Sequence, residues 1–96
     1  MLKTLTIENI DIIAGKYVDH WKVDNISVSP DSYYIKVIHT GSPFDSFHLI
    51  IDRLQTSNGD YHIWCPETNV EHYIPIECIT DRDVFLRFLI DELTPI

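Results

Sequence analysis

The sequence has few glycines, few cysteines and few basic residues, and each shortage argues against a class of protein. Three glycines in 96 residues leave little backbone that could wrap around a phosphate group, and no glycine-rich phosphate loop occurs. Two cysteines are too few for a disulfide-built scaffold, so we expect free thiols in a reducing cytosol. Seven Lys and Arg residues do not supply the basic surface that binding to nucleic acid requires.

Long hydrophobic runs are also missing. The N-terminal stretch MLKTLTIENIDIIAG carries Glu8 and Asp11 inside its apolar run. No cleavage motif of small residues follows, so we expect no signal peptide. No run approaches the roughly 20 apolar residues of a membrane-spanning helix. We therefore expect a cytoplasmic protein.

The residues that are present suit one acidic globular domain. Hydrophobic residues make up 45% of the chain and aromatic residues 11%, which is enough for a core, and residues 1–96 are expected to form a single compact domain. Fifteen acidic residues give a formal net charge of -8. Such a surface repels nucleic acids and anionic membranes and attracts basic protein surfaces.

A short helix is predicted near the N-terminus, over residues 6–14. Ile7, Ile10 and Ile13 recur there at helical spacing, behind a cap at Thr4 or Thr6. Gly15 suits the position just after a helix, where a left-handed backbone is common. Because isoleucine also favours strands, a strand over residues 2–7 is the alternative.

The middle of the chain predicts an antiparallel meander of four to five strands. The predicted strands cover residues 17–29, 33–40, 47–55, 61–65 and 70–76. A turn at residues 30–32, a loop at 41–46, the Asn58-Gly59 pair and a turn at 66–69 separate them. A C-terminal helix is predicted over residues 81–93, with Thr80 as its cap. The predicted fold class is α+β.

The stretch NGDYHIWCPETNVEHYIPIEC contains two histidines and two cysteines, but it predicts a hairpin rather than a metal site. A turn at residues 66–69 places Cys65 opposite Val70 and Ile63 opposite His72. Strand alternation then sends His62 and Cys65 to opposite faces, so the two side chains do not share a metal. We expect buried structural thiols, no metal and no cofactor.

A second constellation offers a hypothesis of catalysis. Pairing of Thr40 with Phe47 would place His39 opposite His48, with Asp45 in the connecting loop. Two imidazoles and a carboxylate bind a divalent metal or share a proton near neutral pH. A third strong ligand is missing, and no nucleophile motif occurs elsewhere, so a small enzyme using His39 and His48 is the third-ranked interpretation.

Acids and tyrosines beside the predicted turns are the candidate contacts to a partner. Carboxylates form charge-assisted hydrogen bonds with Arg and Lys, and tyrosine rings stack on the same cations. The alternative is that about half of these tyrosines belong to the core. The candidate partner-binding residues are Asp19, Asp24, Asp31, Tyr33, Tyr34, Asp60, Glu67 and Glu71.

The predicted C-terminal helix has an unusually wide apolar arc. Leu86, Ile90 and Leu93 extend this arc well beyond the side that faces the core. An arc this wide indicates burial on two sides. A loop of the same chain or a second subunit would cover it, and we favour a homodimer with these three residues as its interface.

These observations favour a small cytosolic protein that binds and inhibits a basic, nucleic-acid-handling protein, such as a nuclease or a defence complex. The mechanism expected is mimicry of nucleic-acid charge. Bacterial immunity proteins and phage-encoded inhibitors of host nucleases share this size and charge sign, which is an analogy of composition. The alternative is a dimeric chaperone or adaptor for a secreted or regulatory partner.

Overall fold

The computed structural model describes residues 3–93, apart from the side chains of residues 43 and 44. The fold is α+β, as predicted, with helices towards both ends of the chain and an antiparallel sheet between them. The elements in chain order are α1 (Ile7–Asp11), β1 (Tyr17–Val18), β2 (Trp21–Val28), β3 (Ser32–His39), β4 (Ser42–Asp52), β5 (Asp60–Cys65), β6 (Val70–Pro75), α2 (Ile76–Thr80) and α3 (Arg82–Leu93).

The described strands form one six-stranded sheet in the order β1-β2-β3-β4-β5-β6. Each strand therefore pairs with the next one along the chain, which is the predicted meander. The predicted number of four to five strands is wrong because residues 17–29 are not one strand. The chain reverses at Asp19 and His20, where Asp19 has a φ of 54°. Aspartate tolerates this left-handed conformation, so a two-residue turn forms there.

Alternate turns of the meander lie at opposite ends of the sheet. The β1–β2, β3–β4 and β5–β6 turns lie at one end, which we call the first end. The β2–β3 and β4–β5 connections lie at the other, which we call the second end. Any set of turn residues is therefore divided between two separate regions of the surface.

The predicted register is correct for the β5–β6 hairpin and wrong for the β3–β4 hairpin. In the β5–β6 hairpin, Cys65 pairs with Val70 and Ile63 with His72, which confirms the prediction. The predicted loop at residues 41–46 is wrong, since β4 begins at Ser42, directly after the turn. Because β4 begins earlier than predicted, its register with β3 is shifted, and Phe47 pairs with Val37 rather than with Thr40.

The N-terminal helix is shorter than predicted and ends at Asp11. Its start is confirmed at Thr6, whose backbone N–H and hydroxyl both donate to Oδ1 of Asn9, at 3.3 and 2.8 Å. Further turns continue to Gly15, which has the predicted left-handed backbone with a φ of 71°. This φ is costly for residues with a Cβ atom.

The strand alternative for the N-terminal segment also holds in part. The backbone N–H of Leu5 donates to the carbonyl oxygen of Arg53 at 2.6 Å, and Thr4 forms an isolated antiparallel bridge with Leu54. The segment is thus extended before Thr6 and helical after it. Residue 2, where the predicted strand began, lies outside the described residues.

The C-terminal helix is confirmed, but its cap is not the predicted Thr80. Oδ1 of Asp81 accepts hydrogen bonds from the backbone N–H groups of Asp83 and Val84, at 3.1 and 3.2 Å. Asp81 is therefore the residue that satisfies the free donors at this helix start. Thr80 instead ends α2, a short helix whose first residue, Ile76, was predicted to belong to the last strand.

All helices contribute to one hydrophobic core on one face of the sheet. Alternate residues of the strands point to this face, because successive side chains of a strand lie on opposite sides. Residues of α1, α2 and α3 belong to the same buried cluster. The largest fully buried side chains are Tyr33, Tyr61, Phe47, Phe85, Leu5, Ile10, Ile13, Ile35, Leu49, Ile51, Ile63 and Ile79.

Candidate partner-binding face

The opposite face of the sheet remains accessible and carries both aromatic and acidic side chains. Tyr34, Ile50 and Trp64 lie side by side across three strands, since Tyr34 pairs with Ile50 and Ile50 with Trp64. Tyr34 is exposed, and the other two are half-buried. We call this surface the outer face and define it by Tyr34, Ile50, Asp52, His62, Trp64, Glu71 and Tyr73.

A histidine lies between two carboxylates on the outer face. Nδ1 of His62 is 3.2 Å from Oδ2 of Asp52, and Nε2 is 2.8 Å from Oε2 of Glu71. The ring also lies against that of Tyr73, with 5.0 Å between the centroids. A neutral imidazole has a single N–H group, so it donates to one of the two carboxylates at a time, whereas the imidazolium donates to both.

Asp52 has a further partner on its other oxygen. The hydroxyl of Ser32 donates to Oδ1 of Asp52 at 3.4 Å. Ser32 and Asp52 are also paired across β3 and β4. The carboxylate of Asp52 is thus held by groups from two neighbouring strands, and its position on the outer face is fixed from both sides.

Four of the predicted partner-binding residues lie at or near the outer face. Tyr34 and Glu71 are part of it, and Tyr34 is 41% exposed. Asp60 begins β5 at the second end, two residues before His62 and on the same side of the strand. Asp31, in the β2–β3 turn, lines a small cleft of about 440 Å³ together with Asp52. The second end and the outer face therefore meet at this cleft, where Arg53 lies beside the two acids.

The remaining predicted acids lie elsewhere and are already paired in two cases. Asp19 lies at the first end, where Nη1 of Arg87 donates to its Oδ2 at 3.0 Å. Glu67 lies at the same end in the β5–β6 turn, 2.8 Å from Nδ1 of His48. Asp24 marks a bulge in β2. The structure does not bring these acids together with those of the second end.

Tyr33 is not available to a partner. It is 1% exposed, and its hydroxyl donates to the carbonyl oxygen of Leu5 at 2.8 Å. The guanidinium of Arg53 lies over the ring, 5.2 Å from its centroid. The prediction that Tyr33 contacts a partner is therefore wrong, and the alternative that some of these tyrosines belong to the core holds for this residue.

The predicted dimer face on the last helix is also corrected. Leu86, Ile90 and Leu93 are only 5%, 8% and 1% exposed within a single chain. The chain itself covers them, and α3 lies against β1. The wide apolar arc is explained by burial on two sides within the same chain, which was the alternative to a second subunit.

The histidine pair of the enzyme hypothesis does not form. His48 pairs with Lys36, and His39 with Ser42, so the two imidazoles do not face each other. His39 instead contacts Trp21, with ring centroids 5.0 Å apart. The assumed register failed because it required a loop where β4 continues.

His48 takes part in a different arrangement, centred on a carboxylate. Oε1 of Glu67 accepts hydrogen bonds from the backbone N–H and Nδ1 of His48, at 3.0 and 2.8 Å, and Oε2 accepts one from Sγ of Cys65 at 3.4 Å. Partial burial raises the pKa of Glu67, but the hydrogen bonds from His48, its own backbone and Cys65 outweigh this, so the pKa is lowered overall. The carboxylate of Glu67 therefore links the thiol of Cys65 with the imidazole of His48.

The described residues do not assemble a metal site. In residues 3–93, no group of three or more His, Cys, Asp or Glu side chains is arranged to hold a metal ion. His62 lies on the outer face and Cys65 is buried, which confirms that the two point apart. Both cysteines are free thiols, and Cys65 is buried as predicted, whereas Cys78 is only half-buried.

An open groove between α1 and the α2–α3 junction was not predicted from the sequence. It measures about 960 Å³ and mixes acidic with basic side chains. Asp11 contributes to it from α1, and Asp81 and Arg82 from the start of α3. Lys16 and Arg82 offset part of the negative charge of the four acids that line the groove.

The functional interpretation of this protein depends on its own geometry, because comparisons with known proteins give no match. Family models, curated proteins and solved structures contain no match to this chain. Within the part of the chain that is described, no helix has the length and apolar character needed to cross a membrane.

Proposed function

We propose that this protein binds a basic, nucleic-acid-handling protein and inhibits it, using the outer face and the second end of the sheet as its contact surface. The observation that carries this proposal is the accessible row of Tyr34, Ile50 and Trp64 bordered by Asp52 and Glu71. Aromatic side chains supply contact area at low entropic cost, and the acids next to them select for a cationic partner.

The charge of the whole chain supports the same partner class. The formal net charge of -8 attracts basic surfaces over distances of about 8 Å at physiological salt. A basic surface that normally binds the phosphate backbone offers Arg and Lys side chains, which suit carboxylates and tyrosine rings. Occupation of that surface by this protein would exclude nucleic acid, which is the mechanism of inhibition we propose.

The adaptor alternative loses one of its two supports. A dimeric chaperone was favoured by the wide apolar arc on the last helix, and Leu86 and Ile90 are now explained by burial within one chain. Its remaining support is the acidity of the surface, which does not distinguish it from an inhibitor. We therefore rank inhibition first.

The proposal is tested with matched tyrosine variants. Tyr34 and Tyr73 lie on the outer face and are 41% and 57% exposed, whereas Tyr17 is 60% exposed on the edge strand β1, which β2 separates from β3. We compare the wild type, the Tyr34→Ser/Tyr73→Ser variant and the Tyr17→Ser variant as baits in an extract of the native host. Thermal unfolding checks that each bait is folded.

A specific partner should be retained by the wild type and by Tyr17→Ser and lost by the outer-face variant. Its purified form should then be assayed for nucleic-acid binding or cleavage with increasing amounts of this protein. Inhibition by the wild type and its loss in the outer-face variant support the proposal. Equal capture by all three baits, or a partner whose action on nucleic acid is unchanged, contradicts it.

A further inference from the structure

We propose that the protonation state of His62 sets how much negative charge the outer face presents. The second part of this inference, that a basic partner therefore binds more tightly at higher pH, rests on the proposed function. The first part concerns the free protein alone. It rests on the position of the imidazole between Asp52 and Glu71.

The ring of His62 contacts two carboxylates at once. Each of its nitrogens lies within hydrogen-bonding distance of a different acid, Asp52 on β4 and Glu71 on β6. The side chain of His62 is 20% exposed, whereas those of Asp52 and Glu71 are 45% and 60% exposed. The proton is therefore held in a mostly covered position, and the carboxylates that respond to it face the solvent and any partner.

No other basic group contacts the carboxylates beside the ring among the neighbours that the structure describes. Tyr73 lies against the ring from β6, and Asp60 precedes it on the same side of β5. Arg53, next to Asp52 in the chain, directs Nη1 to the carbonyl oxygens of Ser29 and Pro30. Around the ring, therefore, the charged neighbours that contact it are acids.

The sign of the effect follows from the charges. With the imidazolium present, both carboxylates are hydrogen-bonded and one of their two negative charges is offset. When the ring loses a proton, it keeps one N–H group, releases one carboxylate and makes the outer face more negative by one unit. A cationic partner gains from that change, and by linkage its binding releases a proton from His62.

The first test uses the free protein and does not depend on any partner. Ring signals of His62 and the carboxyl carbon signals of Asp52 and Glu71 are followed by NMR above pH 5, where ordinary carboxylates stay ionised. We expect both carboxyl signals to move with the midpoint of the His62 titration, and to lose this movement in His62→Gln. Carboxyl signals that do not follow the ring would overturn the inference.

The second test uses an oligo-arginine peptide as a basic probe, with an oligo-glutamate peptide as its charge control. Affinity of the wild type for the basic probe should rise about two- to fivefold across the His62 titration, the effect of one screened and partly exposed charge. His62→Gln should show a smaller rise than the wild type, and a rise remains because the other four histidines still change the net charge. The matched control His20→Gln, at the exposed first end, should keep the wild-type profile.

The outcomes separate the two proposals. If the probe binds with the same pH profile in the wild type and in His62→Gln, the inference about His62 is wrong and a basic partner remains supported. If the probe does not bind at any pH but the carboxyl signals follow His62, the proton-dependent charge of the outer face stands and the proposed function loses its support.

Discussion

The hydroxyl of Tyr33 donates a 2.8 Å hydrogen bond to the carbonyl oxygen of Leu5. This bond joins the centre of the sheet to the extended segment before α1, and both residues are 1% exposed. A buried carbonyl without a donor is costly, so the bond fixes where the N-terminal segment crosses the sheet. Tyr33 therefore has a structural role, in contrast to its neighbour Tyr34.

We predict that Tyr33→Phe lowers the free energy of unfolding by about 1–2 kcal/mol, because the carbonyl of Leu5 loses its donor in a dry environment. Urea unfolding of the purified variant measures this. Tyr34→Phe is the matched control, since its ring lies on the outer face, and it should change stability by less than about 0.5 kcal/mol. Equal effects of the two substitutions would contradict the assignment.

The sequence predicted those parts of the fold that depend on short-range signals. The β5–β6 register followed from a four-residue turn between two alternating stretches, so Cys65 and Val70 were paired correctly. The helix over α3 followed from its apolar spacing. In both cases the decisive interactions lie within about ten residues of each other, and local patterns contain that information.

The errors arose where a tight turn was mistaken for a strand or a loop. Asp19 adopts a left-handed backbone. A single aspartate inside an alternating stretch is not enough to predict that conformation from the sequence. Gly41 was assigned to a six-residue loop, although β4 begins directly after it at Ser42. A register error at this turn displaced His48 from His39, and the histidine pair of the enzyme hypothesis depended on that register.

The contact between His62 and Asp52 was beyond sequence analysis for another reason. Strand alternation correctly put His62 and Cys65 on opposite sides of β5. The neighbour of His62 on β4 depends on the β4–β5 register, which is set across a connection of several residues rather than a tight turn. A change of one residue would send Asp52 to the opposite face, so the outer face became apparent only in three dimensions.

Leu86→Ala should destabilise the monomer rather than separate a dimer. Leu86 is 5% exposed within one chain, and truncation of a buried leucine costs about 2–5 kcal/mol. Val84→Ala, on the same helix and 46% exposed, is the matched control and should cost far less. Urea unfolding gives the stabilities, and sedimentation gives the mass of each variant. A parent protein that sediments as a dimer and becomes a stable monomer on Leu86→Ala would restore the helix interface.

The carboxylate of Glu67 should make a small contribution to stability that is lost in acid. Its pKa is lowered from the ordinary value of 4.5, so the folded state favours the charged form. The contribution is fully present above that value and disappears as the pH falls through the lowered pKa of the folded protein. Because the side chain is 38% exposed, solvent screening limits the effect to less than about 1 kcal/mol.

Unfolding by urea at steps between about pH 6 and pH 2 measures this contribution. The stability difference between the wild type and Glu67→Gln should be largest near neutral pH and shrink towards pH 2. Glu92→Gln, at an exposed position near the end of α3, is the control and should show little pH-dependent difference. A Glu67→Gln difference that stays constant with pH would show that the lost hydrogen bonds, rather than the charge, account for it.

The division of the turn acids between two ends of the sheet gives the sharpest test of where a basic partner binds. Asp31 and Asp60 lie at the second end beside the outer face, whereas Asp19 and Asp24 lie near the β1–β2 corner. The double variants Asp31→Lys/Asp60→Lys and Asp19→Lys/Asp24→Lys change the net charge by the same amount, so they weaken long-range attraction similarly. Only the first pair also removes charge next to the proposed contact surface. We therefore expect slower association and a flatter salt dependence for the first variant than for the second. Stopped-flow mixing with the captured partner at several salt concentrations measures both. Because Asp19 pairs with Arg87 and has a left-handed backbone, thermal unfolding checks that both variants are folded. Equal rates for two folded variants would show that the partner responds to total charge, and a larger effect at Asp19 and Asp24 would move the contact surface to the first end.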